Sequence, residues 1–252
     1  MLENQVDGYY LHKQYELHGK DLVLMNDIQS FFSVGTIKIR SRDGHVIYYV
    51  NSLKNLTTTI IPHFEKYRLL TQKKVDFELF KQIVFMMNNK EHLTPEGLRK
   101  IISIRASLNE GLGETISADF PGIIPIDRPL VDEAKISDPQ WLAGFASAEG
   151  CFTLSINKAS RYKLGKTCQL TFLVTQHIRD KLLIKYLINY LDCGILIERK
   201  GVAACDFRVR SIADINQKII PFFEKYPVIP QSPFGGRVAG FLITLVVLAQ
   251  EI

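Results

Sequence analysis

Several things are scarce in this sequence of 252 residues, and each scarcity excludes something. There are four cysteines, Cys151, Cys168, Cys193 and Cys205, all in the second half and none in a Cys-x-x-Cys pair. That argues against a disulfide scaffold or a zinc site and fits free thiols in a reducing compartment. The six histidines are scattered without metal-ligand spacing. No apolar run reaches the ~20 residues needed to span a bilayer. The longest candidate, 238–249 near the C-terminus, is expected to be a buried segment or the product of a truncated or shifted frame rather than a membrane anchor. The first residues are acidic early and lack an apolar stretch, so neither a signal nor a transit peptide is expected there. The charge excess is small, 31 Lys and Arg against 26 Asp and Glu, a net +5 that is compatible with nucleic acid without requiring it. What is present is 46% hydrophobic residues, enough for a real core, in a length that suits one large domain or two average ones.

The most informative pattern is an internal repeat. Ile60-Ile-Pro-His-Phe-Glu-Lys-Tyr67 recurs as Ile219-Ile-Pro-Phe-Phe-Glu-Lys-Tyr226, an offset of 159 (219 − 60). The same offset pairs His18 with His177, Asp21 with Asp180, Gly35 with Gly194, Tyr48 with Phe207, Val50 with Val209 and Ser52 with Ser211. An ungapped offset over such a span implies two copies of one unit.

Each copy has the same pattern. In the second, Phe152, Leu154 and Ile156 alternate with Thr153, Ser155 and Asn157, which predicts a half-buried strand. A basic turn follows at 158–166, then a strand with Leu170, Phe172 and Val174 inward and Gln169 and Thr171 outward. A helix is expected over 178–191, with Gly194 just beyond its end. Strands near 195–200 and 204–210 and a helix over 213–226 complete the unit. The first copy repeats this from its second strand onward: helix 21–32, strands 36–41 and 45–50, helix 53–67, then helices 75–89 and 95–108. The expectation is an α+β protein of two pseudo-symmetric αββαββα units, antiparallel saddle-shaped sheets with helices on one face. The first unit takes residues 1–110, a proline-bearing linker 111–137, and the second 138–252, with an atypical apolar tail at 227–252. Projected back by the offset, the first copy's opening helix and strand fall before Met1, and after Tyr226 the second copy runs into the tail where the first has a helix pair, so each unit is expected to be incomplete at one end.

The opening helix of the second copy is the sharpest stretch. Asp138 can cap it and Pro139 suits its first turn. Gly144 and Ala148, with Ala143 and Ser147 beside them, leave one side nearly bare, so that a second backbone could pack closely. Glu149 then falls at the helix C-terminus, where the dipole disfavours a carboxylate unless a cation is near. The string Leu142-Ala-Gly-Phe-Ala-Ser-Ala-Glu-Gly150 resembles the motif of the LAGLIDADG homing endonucleases position by position, with mild departures at Phe145, Ala146 and Ser147. The repeat layout resembles the single-chain, two-motif branch of that family.

The resemblance implies a site-specific DNA endonuclease that hydrolyses phosphodiester bonds with Mg²⁺. It implies that Glu149, with the backbone carbonyl of Ala148, binds the metal. Gln176 falls on a position that touches the water network of the active site, and Lys73 on a basic position beside the scissile phosphate. Their counterparts by offset are Leu17 and Ser232, so each occurs in one copy only. Motif helices of the family pack through positions matching Ala143, Gly144, Ser147 and Ala148. DNA-facing candidates are Thr153, Ser155, Asn157, Gln169, Thr171, Arg199, Arg208 and Arg210 in the second copy and Lys38, Arg40 and Tyr49 in the first. These residue types pair with base edges, while Lys158, Arg161, Lys163 and Lys166 would meet phosphates. With one motif in view, the expectation is nicking, binding without cutting, or a dimer through the lone motif helix, rather than full double-strand cleavage by a monomer. The alternative is a maturase that binds intron RNA without nuclease activity. A mitochondrial location follows by resemblance alone.

Overall fold

The computed structural model describes residues 13–108, 111–129, 135–136 and 138–227. The apolar tail and the residues preceding Lys13 lie outside that range, as does Ser232. The chain divides into two compact units, residues 1–131 and 132–252. Among the described residues no helix is long and apolar enough to cross a membrane.

The first unit contains β1 (Lys13–Leu17), α1 (Leu22–Phe32), β2 (Thr36–Ile39) and β3 (Val46–Val50). The strands form an antiparallel sheet in the order β1-β3-β2. Next come α2 (Leu53–Asn55), a π-helical turn (Leu56–Ile60) and α3 (Ile61–Lys66), then α4 (Lys73–Asn88), α5 (Pro95–Ala106) and α6 (Glu114–Asp119). Strict alternation in β3 buries Val46, Tyr48 and Val50 against Met25, Leu56, Ile60 and Ile61. A second cluster joins α4 to α5 through Val75, Leu79, Ile83, Met86 and Ile104.

The second unit has α7 (Pro139–Glu149), β4 (Gly150–Lys158), β5 (Lys166–His177), α8 (Lys181–Leu191), β6 (Ile195–Glu198) and β7 (Ala204–Val209). It closes with α9 (Ile212–Asp214), a second π turn (Ile215–Ile219) and α10 (Ile220–Lys225). Its sheet is antiparallel in the order β4-β5-β7-β6. Phe172 and Phe207 are fully buried, and Phe172 packs its ring 4.6 Å from Phe152 and 5.6 Å from Phe223. Each such ring contributes roughly 1.5–3 kcal/mol by burial.

The repeat has local physical causes that recur in both units. His18 and His177 each accept the backbone N–H two residues on, and Ser52 and Ser211 each cap the helix that follows. The helices expected as continuous over 53–67 and 213–226 are each interrupted by a π turn. Pro62 and Pro221 supply no N–H, and Ile61 and Ile220 bond instead to carbonyls five residues back, on Leu56 and Ile215. Gly35 (φ +91°) and Gly194 (φ +83°) follow the αL residues Ser33 and Asp192; a Cβ on either would lie 2.5 Å from the ring of Tyr48 or Phe207.

The stretch after α5 is packed onto the first unit. Ser107 Oγ donates to the carbonyl of Ile126 at 2.6 Å, and Arg128 Nη1 donates to Asp76 Oδ1 at 2.8 Å and to the carbonyl of Ser107. Those bonds hold 124–128 along α5 where proline spacing suggests only a linker.

Candidate functional site

Asp138 accepts the N–H of Gln140 at 2.8 Å and Pro139 opens α7, so this helix begins where its sequence dictates. Leu142, Ala143 and Ala146 form its buried side. Gly144 and Ala148 are exposed, and a Cβ on Gly144 would meet nothing within 4 Å. Ala143, expected on the bare stripe, faces away from it, because it lies about 100° of helical rotation from Gly144. Trp141 and Phe145 stack on a third side at 4.9 Å.

Helix α7 passes into β4 without a loop. Gly150 adopts extended geometry (φ −80°, ψ 151°), and its N–H bonds to the carbonyl of Ala146. A Cβ there would lie 2.3 Å from that same oxygen. Glycine at 150 thus permits the abrupt turn that leaves Glu149 exposed at the helix end. Gly150 pairs with Val174, so β5 continues past the start of β4 into Thr175 and Gln176, alongside the last turn of α7. Gln176 alternates with Phe172 and Val174 and so points to the helix side of the sheet, opposite the base-reading candidates.

The outward face of the second sheet carries Thr153, Ser155, Asn157, Gln169, Thr175, Asp206 and Arg208. Thr153, Ser155 and Asn157 are exposed, and Arg210 is exposed just past β7. Thr171 is not an open reader: it pairs with Thr153 near the sheet centre and is buried. Leu154 and Ile156, expected to be inward, are 45% and 64% exposed. The β4–β5 hairpin extends beyond the described helices of its unit, so alternation fixes a face without guaranteeing burial. At the hairpin tip Lys158 lies directly opposite Lys166, with Arg161 and Lys163 in the turn, all four exposed. Like charges directly opposite one another cost stability, and an anionic ligand would relieve that cost.

Two of the arginines are fixed by an acid that alternation and spacing did not single out. Asp206 has no exposed surface, yet lies on the outward face between Cys205 and Phe207. It accepts from Thr175 Oγ1 (2.9 Å), from Arg199 Nε (2.9 and 3.1 Å) and from Arg208 Nη2 (3.0 Å). Burial pushes its carboxyl up, but the hydrogen bonds from Arg199, Thr175 and Arg208 outweigh that and hold it below the ordinary value. In the first unit Arg40 donates to Glu16 (2.6 and 3.1 Å) and Asp43 (2.8 to 3.1 Å), with His45 Nδ1 at 2.8 Å. Hydrogen bonding by Asp43 and then Glu16 raises the Arg40 pKa further. Lys38 is exposed on β2, and Tyr49 is half-buried on β3. The repeat offset pairs Arg40 with Arg199 but gives no sign of the acids that clamp them, since Glu16 corresponds to Thr175 and Asp206 to Ile47.

Lys73 opens α4 in the first unit. Its Nζ lies 3.2 Å from Asp76 Oδ2, whose other oxygen is held by Arg128. Burial raises the Asp76 carboxyl and the hydrogen bonds from Arg128 and Lys73 lower it, for a net depression. Glu149 and Gln176 belong to the second unit. Among the described residues there is no group of three or more His, Cys, Asp or Glu side chains able to hold a metal. The donors at the end of α7 are a carboxylate and terminal helix carbonyls, oxygen ligands that suit a hard cation whose shell is completed by water and phosphate.

The sequence profile of the LAGLIDADG endonucleases matches residues 3–84 and 142–232, one match in each copy of the repeat. Two proteins of Neurospora crassa, probable intron-encoded endonucleases 3 and 2, are 38% and 37% identical over 218 and 226 residues. The matches cover 86% and 85% of this chain but 40% and 48% of those proteins, so the chain spans less than half the length of either. Among solved structures, the meganuclease I-SmaMI bound to uncleaveable DNA superposes with a TM-score of 0.86 at 38% identity, over 95% of this chain and 79% of that one. I-SmaMI has also been solved on uncleaved DNA target in the presence of calcium ions. Both copies of the repeat, the motif helix and the two antiparallel sheets agree with these matches, and the chain belongs to the LAGLIDADG endonuclease family.

Proposed function

We propose that the chain acts as a site-specific DNA endonuclease that hydrolyses phosphodiester bonds with a divalent metal, Mg²⁺ in the cell. The observation that carries this reading is Glu149, an exposed carboxylate at a helix C-terminus beside a sheet whose outward face is polar and basic. A divalent cation at that helix end would activate water and stabilise charge on the scissile phosphate. Glu149 and the Ala148 carbonyl would supply oxygen ligands to such a cation, and Gln176, next to the end of α7, would orient water. Lys73, which lies beside Asp76 in the first unit, takes the role its resemblance gives it, a positive charge beside a scissile phosphate. The hairpin cations Lys158, Arg161, Lys163 and Lys166 neutralise backbone phosphates and position the duplex. Thr153, Ser155, Asn157, Gln169 and Arg210 read base edges from the second sheet, with Lys38 and Tyr49 from the first. The exposed stripe of Gly144 and Ala148 is the packing face of the motif helix.

The intron-encoded relatives include a Podospora anserina protein in ND4 intron 1, 40% identical over 75 residues, or 30% of this chain, and this supports a mitochondrial setting. The test is incubation of the full chain with duplex DNA carrying its host-gene insertion site, with and without Mg²⁺. Metal-dependent strand scission that disappears in Glu149→Gln is the expected result. Scission without metal, or scission unchanged in Glu149→Gln, overturns the site assignment.

A further inference from the structure

Each sheet carries an arginine at one repeat position, and each arginine is held by an acid from one cross-strand pair. In the first unit the pair is Glu16 with Ile47; in the second it is Thr175 with Asp206. The acid has changed strands, and the consequences for the two arginines differ. Arg40 is one guanidinium against two carboxylates, and all three of its nitrogens are engaged. Arg199 and Arg208 are two guanidiniums sharing one carboxylate. Among the described residues, Nη1 of Arg199 and both Nε and Nη1 of Arg208 have no hydrogen-bond partner.

We propose that Asp206 is a specificity-determining positioning residue, which fixes Arg199 and Arg208 as a preoriented donor pair that reads guanine, whereas Arg40 is a structural clamp that reads no base. The inference rests on the DNA-binding reading given above. Its geometry is independent of where the metal sits. A guanidinium held at one edge keeps its other edge in a fixed direction, and guanine offers two acceptors, O6 and N7, in the major groove. Asp206 cannot touch DNA itself, because it is fully covered by the side chains it orients. The surplus positive charge of this cluster favours the ligand, whereas in the first unit Glu16 and Asp43 balance Arg40 and Arg42 and leave no such surplus.

The experiment is selection by the full chain, in EDTA so that nothing is cut, from a duplex pool with a randomised core, read by sequencing. The unmodified protein is expected to show a guanine preference at one or two adjacent positions. Asp206→Asn is expected to reduce that preference roughly ten- to hundred-fold while the rest of the profile stands. Arg199→Lys keeps the charge but loses the fork, and should weaken the same positions. Arg40→Gln should lower thermal stability and leave the base profile unaltered. A merely structural Asp206 would change the melting temperature and not the profile. If Asp206→Asn does not fold, Arg199→Lys decides alone. A folded Asp206→Asn or Arg199→Lys with an unchanged profile overturns the proposal, as does a profile altered by Arg40→Gln. Enrichment of no sequence by the unmodified protein removes the DNA-binding reading, and this inference with it.

Discussion

Arg40 and Arg199 occupy the same position of the repeat, and each is held by a carboxylate from the same cross-strand pair, but from opposite strands: Glu16 on β1 for one, Asp206 on β7 for the other. The backbone of the two sheets is the same at this point. Function can therefore diverge between the units by moving one acid across a strand pair, with no change in the arginine.

Glu149 is the residue whose loss should separate chemistry from binding. It is exposed, so its replacement by glutamine leaves the fold intact. Glu149→Gln is expected to reduce metal-dependent scission at least a hundredfold while the dissociation constant for duplex DNA changes less than threefold, as orders of magnitude. Gel-shift titration beside a single-turnover cleavage assay checks both halves.

The hairpin tip makes a quantitative salt prediction. Neutralising Lys158, Arg161, Lys163 and Lys166 together removes up to four phosphate contacts. The slope of log affinity against log salt should then become shallower by about 3–4, from ~0.9 per contact. Base preference should not move, since these side chains would contact phosphates. An unchanged slope would mean that the hairpin does not touch the duplex.

Two glycines of the motif helix should behave oppositely. Gly150→Ala drives a Cβ against the Ala146 carbonyl at 2.3 Å, a backbone atom that cannot swing away. We expect a loss of about 1–3 kcal/mol, as for other overpacked positions. Gly144→Ala meets open space, and the better helix propensity of alanine should stabilise this unit by up to about 1 kcal/mol. Urea unfolding of both variants gives the comparison. Activity lost in Gly144→Ala without loss of stability would identify its bare face as a packing surface.

His63 gives the first unit a pH-dependent contribution that Phe222, its equivalent in the second, cannot make. Burial, and then the charge of Lys66, depress its pKa below the ordinary 6.5. Its ring sits 4.9 Å from both Phe32 and Tyr67, and the repeat places Phe222 at the equivalent point. As the pH falls through 6.5 the unfolded chain takes up the proton first, so stability is full above that pH and declines below it. His63→Phe should remove this component of the decline. Melting curves between pH 7.5 and about 5.5, a window set around the ordinary histidine value, check it. The depressed carboxyls of Asp76 and Asp206 act lower, their contribution being lost as the pH falls below their ordinary 3.8.

The sequence by itself determined what depends on local chemistry and on recurrence. Asp138 and Pro139 start α7 and Gly150 ends it, because capping, proline and glycine preferences act within a few residues. The offset of 159 disclosed two copies, because the equivalent positions of both units face the same steric demands, as at Gly35 and Gly194. The tertiary structure decided what depends on neighbours distant in the chain. It placed a covered acid, Asp206, under two arginines, because strand register brings 175, 199, 206 and 208 together. It exposed Leu154 and Ile156, because among the described residues no helix reaches that part of the hairpin. It interrupted two helices with π turns ahead of Pro62 and Pro221, where the apolar spacing reads straight through. Alternation states which way a side chain points; only the packed fold states what it finds there.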